Sequence, residues 1–120
     1  LFIGPGAGRI TVTGNNFSND YLGNGERKRS RPEGKWPEIT RATGLMLEGT
    51  SDIAVVGNVF SGLADRAVSA TGECRRVTVV GNVVTDIGRR GGEPVTAFEL
   101  ETVQEKVAGL NAVEKKFEGK

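Results

Sequence analysis

Histidine is missing altogether from the 120 residues, and cysteine, methionine, tryptophan and tyrosine occur once each. Without an imidazole the chain cannot supply a His-dependent catalytic triad or a His-rich metal site. The lone thiol, Cys74, rules out an intramolecular disulfide and says little about compartment. Neither a metal ion nor a cofactor is expected of this sequence. Long apolar runs are lacking too: no stretch reaches the about 18 apolar residues that a membrane-spanning helix needs. Charge almost cancels, at +1, which gives no global reason to expect a nucleic acid or an anionic membrane as partner. A signal-peptide pattern is not visible. The sequence opens Leu1-Phe2-Ile3 without an initiator Met, so the expectation is that further N-terminal sequence belongs to the protein.

What is plentiful is glycine, 18 residues, against only 37% hydrophobic residues. That balance suits short strands joined by many turns better than a helical bundle. A chain of this length holds one domain with a modest core.

Three segments align without gaps: Arg9-Ile-Thr-Val-Thr-Gly-Asn-Asn-Phe-Ser18, Asp52-Ile-Ala-Val-Val-Gly-Asn-Val-Phe-Ser61 and Arg76-Val-Thr-Val-Val-Gly-Asn-Val-Val-Thr85. The second and third lie 24 positions apart (Ile53 and Val77), the first and second 43 apart (Ile10 and Ile53), which is one such unit plus an insertion. Apolar residues alternate within each segment: Ile10 and Val12, Ile53 and Val55, Val77 and Val79. Period two means strand. Phe17, Phe60 and Val84 return to the same inward face after a Gly-Asn turn. A further strand precedes two of the segments, Leu45–Glu48 and Val68–Thr71, each followed by a glycine turn at Gly49 or Gly72. Units this small cannot bury an apolar face alone and must stack on their neighbours. Stacking places Asn15, Asn58 and Asn82 above one another, where their amides can bond along the stack as a structural ladder.

The strand–turn–strand–Asn-turn–strand unit resembles the coil of the right-handed parallel β-helix in the pectate-lyase superfamily. The resemblance covers roughly residues 1–100 and specifies the fold better than the chemistry. It implies an all-β solenoid of about four coils with three strands each, an inserted loop at about 19–43, and further N-terminal coils of the same protein. It also implies engagement of a polysaccharide and a location that is extracellular, at the cell surface or periplasmic. A β-sandwich is the alternative, but it does not explain identical motifs recurring in one register.

Residues 101–120 read differently. Thr102-Val-Gln-Glu105 has the form of a capping box, and Val103, Val107, Leu110, Val113 and Phe117 follow at helical spacing. The expectation is a C-terminal amphipathic capping helix. Its dock would be an outward patch of Val56, Val59, Val80 and Val83, whose equivalents in the first repeat, Thr13 and Asn16, are polar. Gly109 costs such a helix about 1 kcal/mol against alanine, so it would need tertiary support.

Candidate binding residues come from three places. Trp36, the only tryptophan, lies in the insertion beside Lys35 and near Arg41. An indole can stack on a sugar ring and the cations can neutralise a uronate, or Trp36 can simply pin the loop. Adding the 24-residue offset to Asp65 and Arg66 reaches Arg89 and Arg90. This predicts an Asp65–Arg89 pair and a cationic stripe of Arg66 and Arg90, suited to an acidic sugar or only to a solvated cross-coil salt bridge. Met46, Glu48, Ser69 and Thr71 would face outward from the first-strand sheet. Glycoside hydrolysis needs two carboxylates at defined separation, and Asp20, Glu48, Asp65 and Asp86 are candidates without a distinguishing spacing. The superfamily's calcium-binding aspartate clusters have no match here. The basic run Glu26-Arg-Lys-Arg-Ser-Arg31 is interleaved with no aromatic residue and sits among glutamates, so no nucleic-acid role is expected. Two classes stay open: part of a carbohydrate-active enzyme (lyase, hydrolase or epimerase) acting on an acidic glycan, or a non-catalytic surface, spike or glycan-binding module.

Overall fold

A computed structural model describes residues 1–18, 43–88 and 95–117. The described strands are β1 (Phe2–Ile3), β2 (Gly8–Thr13), β3 (Asn16–Ser18), β4 (Leu45–Glu48), β5 (Ser51–Val56), β6 (Val59–Ser61), β7 (Val68–Thr71), β8 (Cys74–Val80), β9 (Val83–Thr85), β10 (Phe98–Glu99), β11 (Val103–Gly109) and β12 (Ala112–Val113). All pairings are parallel, in three sheets ordered β1-β4-β7-β10, β2-β5-β8-β11 and β3-β6-β9-β12. The protein is all-β, and the arrangement is consistent with a β-helix solenoid: each round of chain gives one strand to each sheet.

Register explains why the alternation in the sequence becomes a core. Ile10 pairs with Ile53 and Ile53 with Val77, while Val12 pairs with Val55 and Val55 with Val79. Phe17 pairs with Phe60 and Phe60 with Val84. These are the buried or partly buried columns that fill the interior, joined from the first sheet by Ile3, Leu45, Leu47, Val68 and Ala70. Phe17 and Phe60 stack with ring centroids 5.0 Å apart and planes 6° from parallel. Gly44 is required by this packing, because a Cβ there would lie 2.6 Å from Phe60 Cδ1 and 2.5 Å from the Ala67 carbonyl oxygen.

The Gly-Asn turn is the joint between the second and third sheets. Gly14, Gly57 and Gly81 have φ near +70°, a left-handed conformation that glycine adopts without a Cβ clash. The asparagine that follows is the inter-round lock. Asn58 donates its backbone N–H (2.8 Å) and its Nδ2 (3.0 Å) to Asn82 Oδ1, and its Nδ2 also reaches the Val12 carbonyl at 2.9 Å. Asn15 donates in the same way to Asn58 Oδ1, at 2.9 and 3.2 Å. Asn58 and Asn82 are both fully buried.

The C-terminal segment corrects the expected helix. Residues 103–113 form β11 and β12, which pair with β8 and β9, and one 3-10 turn follows at Lys115–Phe117. A short helix containing Gly109 is marginal alone, whereas β8 offers a row of backbone groups that a strand can satisfy. The segment is a disguised copy of the repeat. Leu110-Asn111 stands where Gly-Asn stands elsewhere, and Asn82 donates its N–H (2.8 Å) and Nδ2 (2.9 Å) to Asn111 Oδ1. Val107 and Leu110 are 59% and 90% exposed, so the helix-like stripe was not a buried face. Among the described residues no helix covers the valine patch: Val56 and Val59 are each 37% exposed and Val83 is 44% exposed.

Two outcomes test this assignment. Leu110 has φ +54°, and a side chain in that region costs roughly 1–2 kcal/mol. After allowance for the extra unfolded-state freedom of glycine, Leu110→Gly should stabilise the protein by about 0.5–1 kcal/mol in urea denaturation. Asn82→Ala removes the acceptor for two donors of Asn58 and should destabilise by about 3 kcal/mol or more in the same assay.

Candidate functional site

The outward face of the first sheet lies on β1, β4, β7 and β10. Side chains alternate across a strand, so with Ile3, Leu47 and Ala70 inward, Phe2, Met46 and Ser69 point out. Register puts Phe2 beside Met46, Met46 beside Ser69, and Ser69 beside Glu99. Glu48 and Thr71 form the next outward pair. Phe2 is 56% and Met46 is 40% exposed, giving an apolar end to a row that becomes polar toward β10.

The polar end is bonded together. Ser69 Oγ donates to Glu99 Oε1 at 2.7 Å, and Arg66 Nε lies 3.5 Å from the same oxygen. Arg66 Nη1 donates to the Thr96 carbonyl at 3.1 Å and to Thr96 Oγ1 at 2.9 Å. Arg66 is thus held against the stack by Thr96 and Glu99, both from the segment that leads into and forms β10. Sequence reasoning missed Glu99 and Thr96 because it carried a constant 24-residue offset past the third repeat. The matched pairs there lie 29 residues apart for Asn82 and Asn111, and 30 for Ser69 and Glu99. An offset taken from Asn82 and Asn111 would have brought Arg66 close to Thr96.

Of the residues named from sequence, Glu48 and Arg66 sit on or beside this face, and Glu48 has no charged partner among the described residues. Asp65 lies at its edge, where its carbonyl accepts the Gly88 N–H at 3.2 Å. Lys35, Trp36, Arg41, Arg89 and Arg90 lie outside the described residues, as does Asp20, so the Asp65–Arg89 pair and the Arg90 part of the stripe do too. Asn15, Asn58 and Asn82 form the column already described.

A second charged feature runs elsewhere. Arg9, Asp52, Arg76 and Glu105 occupy the same place in successive rounds, one residue before Ile10, Ile53, Val77 and Lys106, and all four have φ between 55° and 63°. Their charges alternate in sign. Arg76 Nη2 donates to Asp52 Oδ2 at 3.3 Å and Nη1 to Glu105 Oε1 at 3.4 Å. The Arg76 hydrogen bond holds the Asp52 carboxyl below its ordinary range; burial opposes this, while the charges of Arg76 and Arg9 assist. The Arg76 guanidinium is held more firmly protonated, chiefly by its hydrogen bond to Asp52. Glu114 is lowered as well, first by the Asp86 backbone N–H it accepts at 2.9 Å and then by the Thr85 hydroxyl. These exposed groups tie neighbouring rounds together at the starts of β5, β8 and β11 and after β12, and present no free acid–base pair.

Among the described residues, no three His, Cys, Asp or Glu side chains come together in a way that could hold a metal ion, and no helix is long and apolar enough to cross a membrane. No family of known proteins, no curated protein and no solved structure matches the chain.

The lowered Asp52 and Glu114 carboxyls set the sign of an acid response. Groups depressed in the folded state stabilise it above their unfolded pKa, and the contribution is lost as pH falls through the folded value. Stability should therefore decline gently below about pH 4.5. Asp52→Asn should flatten part of that slope and leave the neutral-pH melt little changed, as thermal unfolding against pH would show.

Proposed function

We propose that the chain is part of a right-handed, pectate-lyase-like parallel β-helix protein that engages a polysaccharide along the outward face of its first sheet. The observation that carries this reading is the row Phe2, Met46, Ser69 and Glu99, flanked by Glu48, Thr71 and Arg66. A sugar presents apolar C–H faces and hydroxyl edges. An exposed aromatic ring suits the first, and oriented carboxylates and hydroxyls suit the second. Arg66 supplies a cation for a uronate, and Lys35, Trp36, Arg41 and Arg90 are proposed to add to that subsite. The location that fits such a ligand is extracellular, at the cell surface or periplasmic.

Enzymatic use as a lyase, hydrolase or epimerase is one form of this proposal; a non-catalytic glycan-binding, surface or spike module is the other. The second is favoured by what the carboxylates are doing. Glu99 is engaged by Ser69 and Arg66, and Asp52 by Arg76. Glu48 and Glu99 are two strands and two residues apart, roughly 12 Å between Cα atoms. Two glutamate side chains can close several ångströms of that gap, so it is the engagement of Glu99 rather than the spacing that argues against a free acid pair.

Affinity electrophoresis against acidic and neutral polysaccharides tests the proposal. Binding to an acidic glycan should weaken at least about tenfold in Arg66→Ala and in Phe2→Ala, with Asp52→Asn unaffected. A folded protein that binds none of the panel would overturn it. Binding confined to neutral glycans, untouched by Arg66→Ala, would remove the uronate subsite.

A further inference from the structure

The two ends of the stack are chemically different. At the C-terminal end the core columns shrink and then stop. Ile10, Ile53 and Val77 form one column, and the residue in register after Val77 is Lys106. The column Val12, Val55 and Val79 ends in Ala108, and Phe17, Phe60 and Val84 end in Val113. The Lys106 ammonium turns back to the Val103 carbonyl at 3.3 Å. Phe117, 8% exposed, folds over the interior, its carbonyl accepting the Ala97 N–H at 3.3 Å. Lys106 itself is exposed, and a charge that the register places in the core column of a terminal strand is a recognised barrier to further strand pairing.

At the N-terminal end the columns finish at full size, with Ile10 and Phe17 partly buried against the core and Leu1 59% exposed. The asparagine column is unfinished on the same side. Asn58, Asn82 and Asn111 each use Oδ1 to accept two donors from the asparagine of the preceding round. Asn58, Asn82 and Asn111 also send Nδ2 back to a valine carbonyl of that round. Asn15 instead turns Nδ2 to its own Thr13 carbonyl at 3.2 Å, and its Oδ1 accepts from no described residue. Arg9 similarly heads the alternating charge column with Asp52 on one side only.

We propose that the N-terminal face is a docking surface for one further parallel coil of this same repeat. Its turn asparagine would donate to Asn15 Oδ1, and an acidic residue would sit beside Arg9. Lys106 denies this surface to the C-terminal face of a second copy and so prevents head-to-tail polymerisation. The interface inside the stack dictates the chemistry of the occupant, since every contact the new coil would make is already made once between existing rounds.

The register supplies the test. Phe2 and Ser69 both pair with Met46, so Leu1 corresponds to Leu45 and Val68. A copy of residues 45–67 ending in glycine, as Gly44 stands ahead of Leu45 in the other round that carries a phenylalanine, continues the register when joined directly ahead of Leu1. The added coil should raise Tm by several degrees, resist proteolysis and lower dye binding to exposed apolar surface. The same fusion with Ala at the copied Asn58 position should lose most of that gain. A fusion whose added coil is trimmed back by protease, with Tm unchanged, would overturn the docking surface. Independently, Lys106→Val should strengthen self-association at least about tenfold in sedimentation velocity, reversed by Asn15→Ala. If Lys106→Val sediments like the parent chain, the role assigned to Lys106 is wrong.

Discussion

The structure depends on a hydrogen-bonded column of asparagine amides. A buried amide must have its donors and acceptor satisfied, and for Asn58 and Asn82 this happens only when the next round places its own asparagine directly alongside. The column therefore sets register in the second and third sheets simultaneously. A slip of one residue would turn every inward valine to solvent; it would also strand buried amides. Apolar columns alone tolerate such shifts more readily, because Ile, Val and Phe have no fixed direction of bonding.

Around that column, the rest is graded along the stack. The interior is widest where Phe17 and Phe60 stack and narrows through Val84 to Val113. Each round touches only its neighbours, so stability is close to a sum of local terms. The last round, with Lys106 and Ala108 at core positions and Leu110 in a left-handed backbone, is the weakest of them. It is held by its backbone pairing to β8, by Asn111 and by Phe117. The polar cluster of Arg66, Ser69, Thr96 and Glu99 ties this last round to the one before it. The residues offered as a ligand subsite thus also brace the end of the fold.

The sequence disclosed the first three rounds because alternation and the Gly-Asn turn coincide there. It hid the fourth. Lys106 replaces an inward aliphatic residue and Leu110 replaces the turn glycine, while the coil lengthens by several residues ahead of β10. Val103, Val107, Leu110, Val113 and Phe117 fall at helical intervals only because the left-handed residues Glu105 and Leu110 interrupt the strict alternation of the strand. The outward placement of Met46, Glu48, Ser69 and Thr71 was legible, since alternation from Leu47 and Ala70 dictates it. Arg66 was legible by residue type, but its partners depend on the length of a connection marked only by Asn111, which lacks the glycine that precedes the other turn asparagines. Lys35, Trp36, Arg41 and Arg90 carry no sequence pattern that would place them against the stack.

The asparagine column has an electrical consequence as well. Each Oδ1 points toward the preceding round and each acceptor is met by two N–H groups from it. The amide dipoles therefore lie head to tail along the axis, as peptide dipoles do along an α-helix. Parallel strands, whose backbone bonds run between rounds, do little to cancel them. The stack thus has a sense along its length, with the negative end of every amide dipole turned toward the N-terminal side. Arg9 belongs to the same first round as Asn15 but stands at the other end of β2, so the ionic column and the amide column run side by side a strand's length apart.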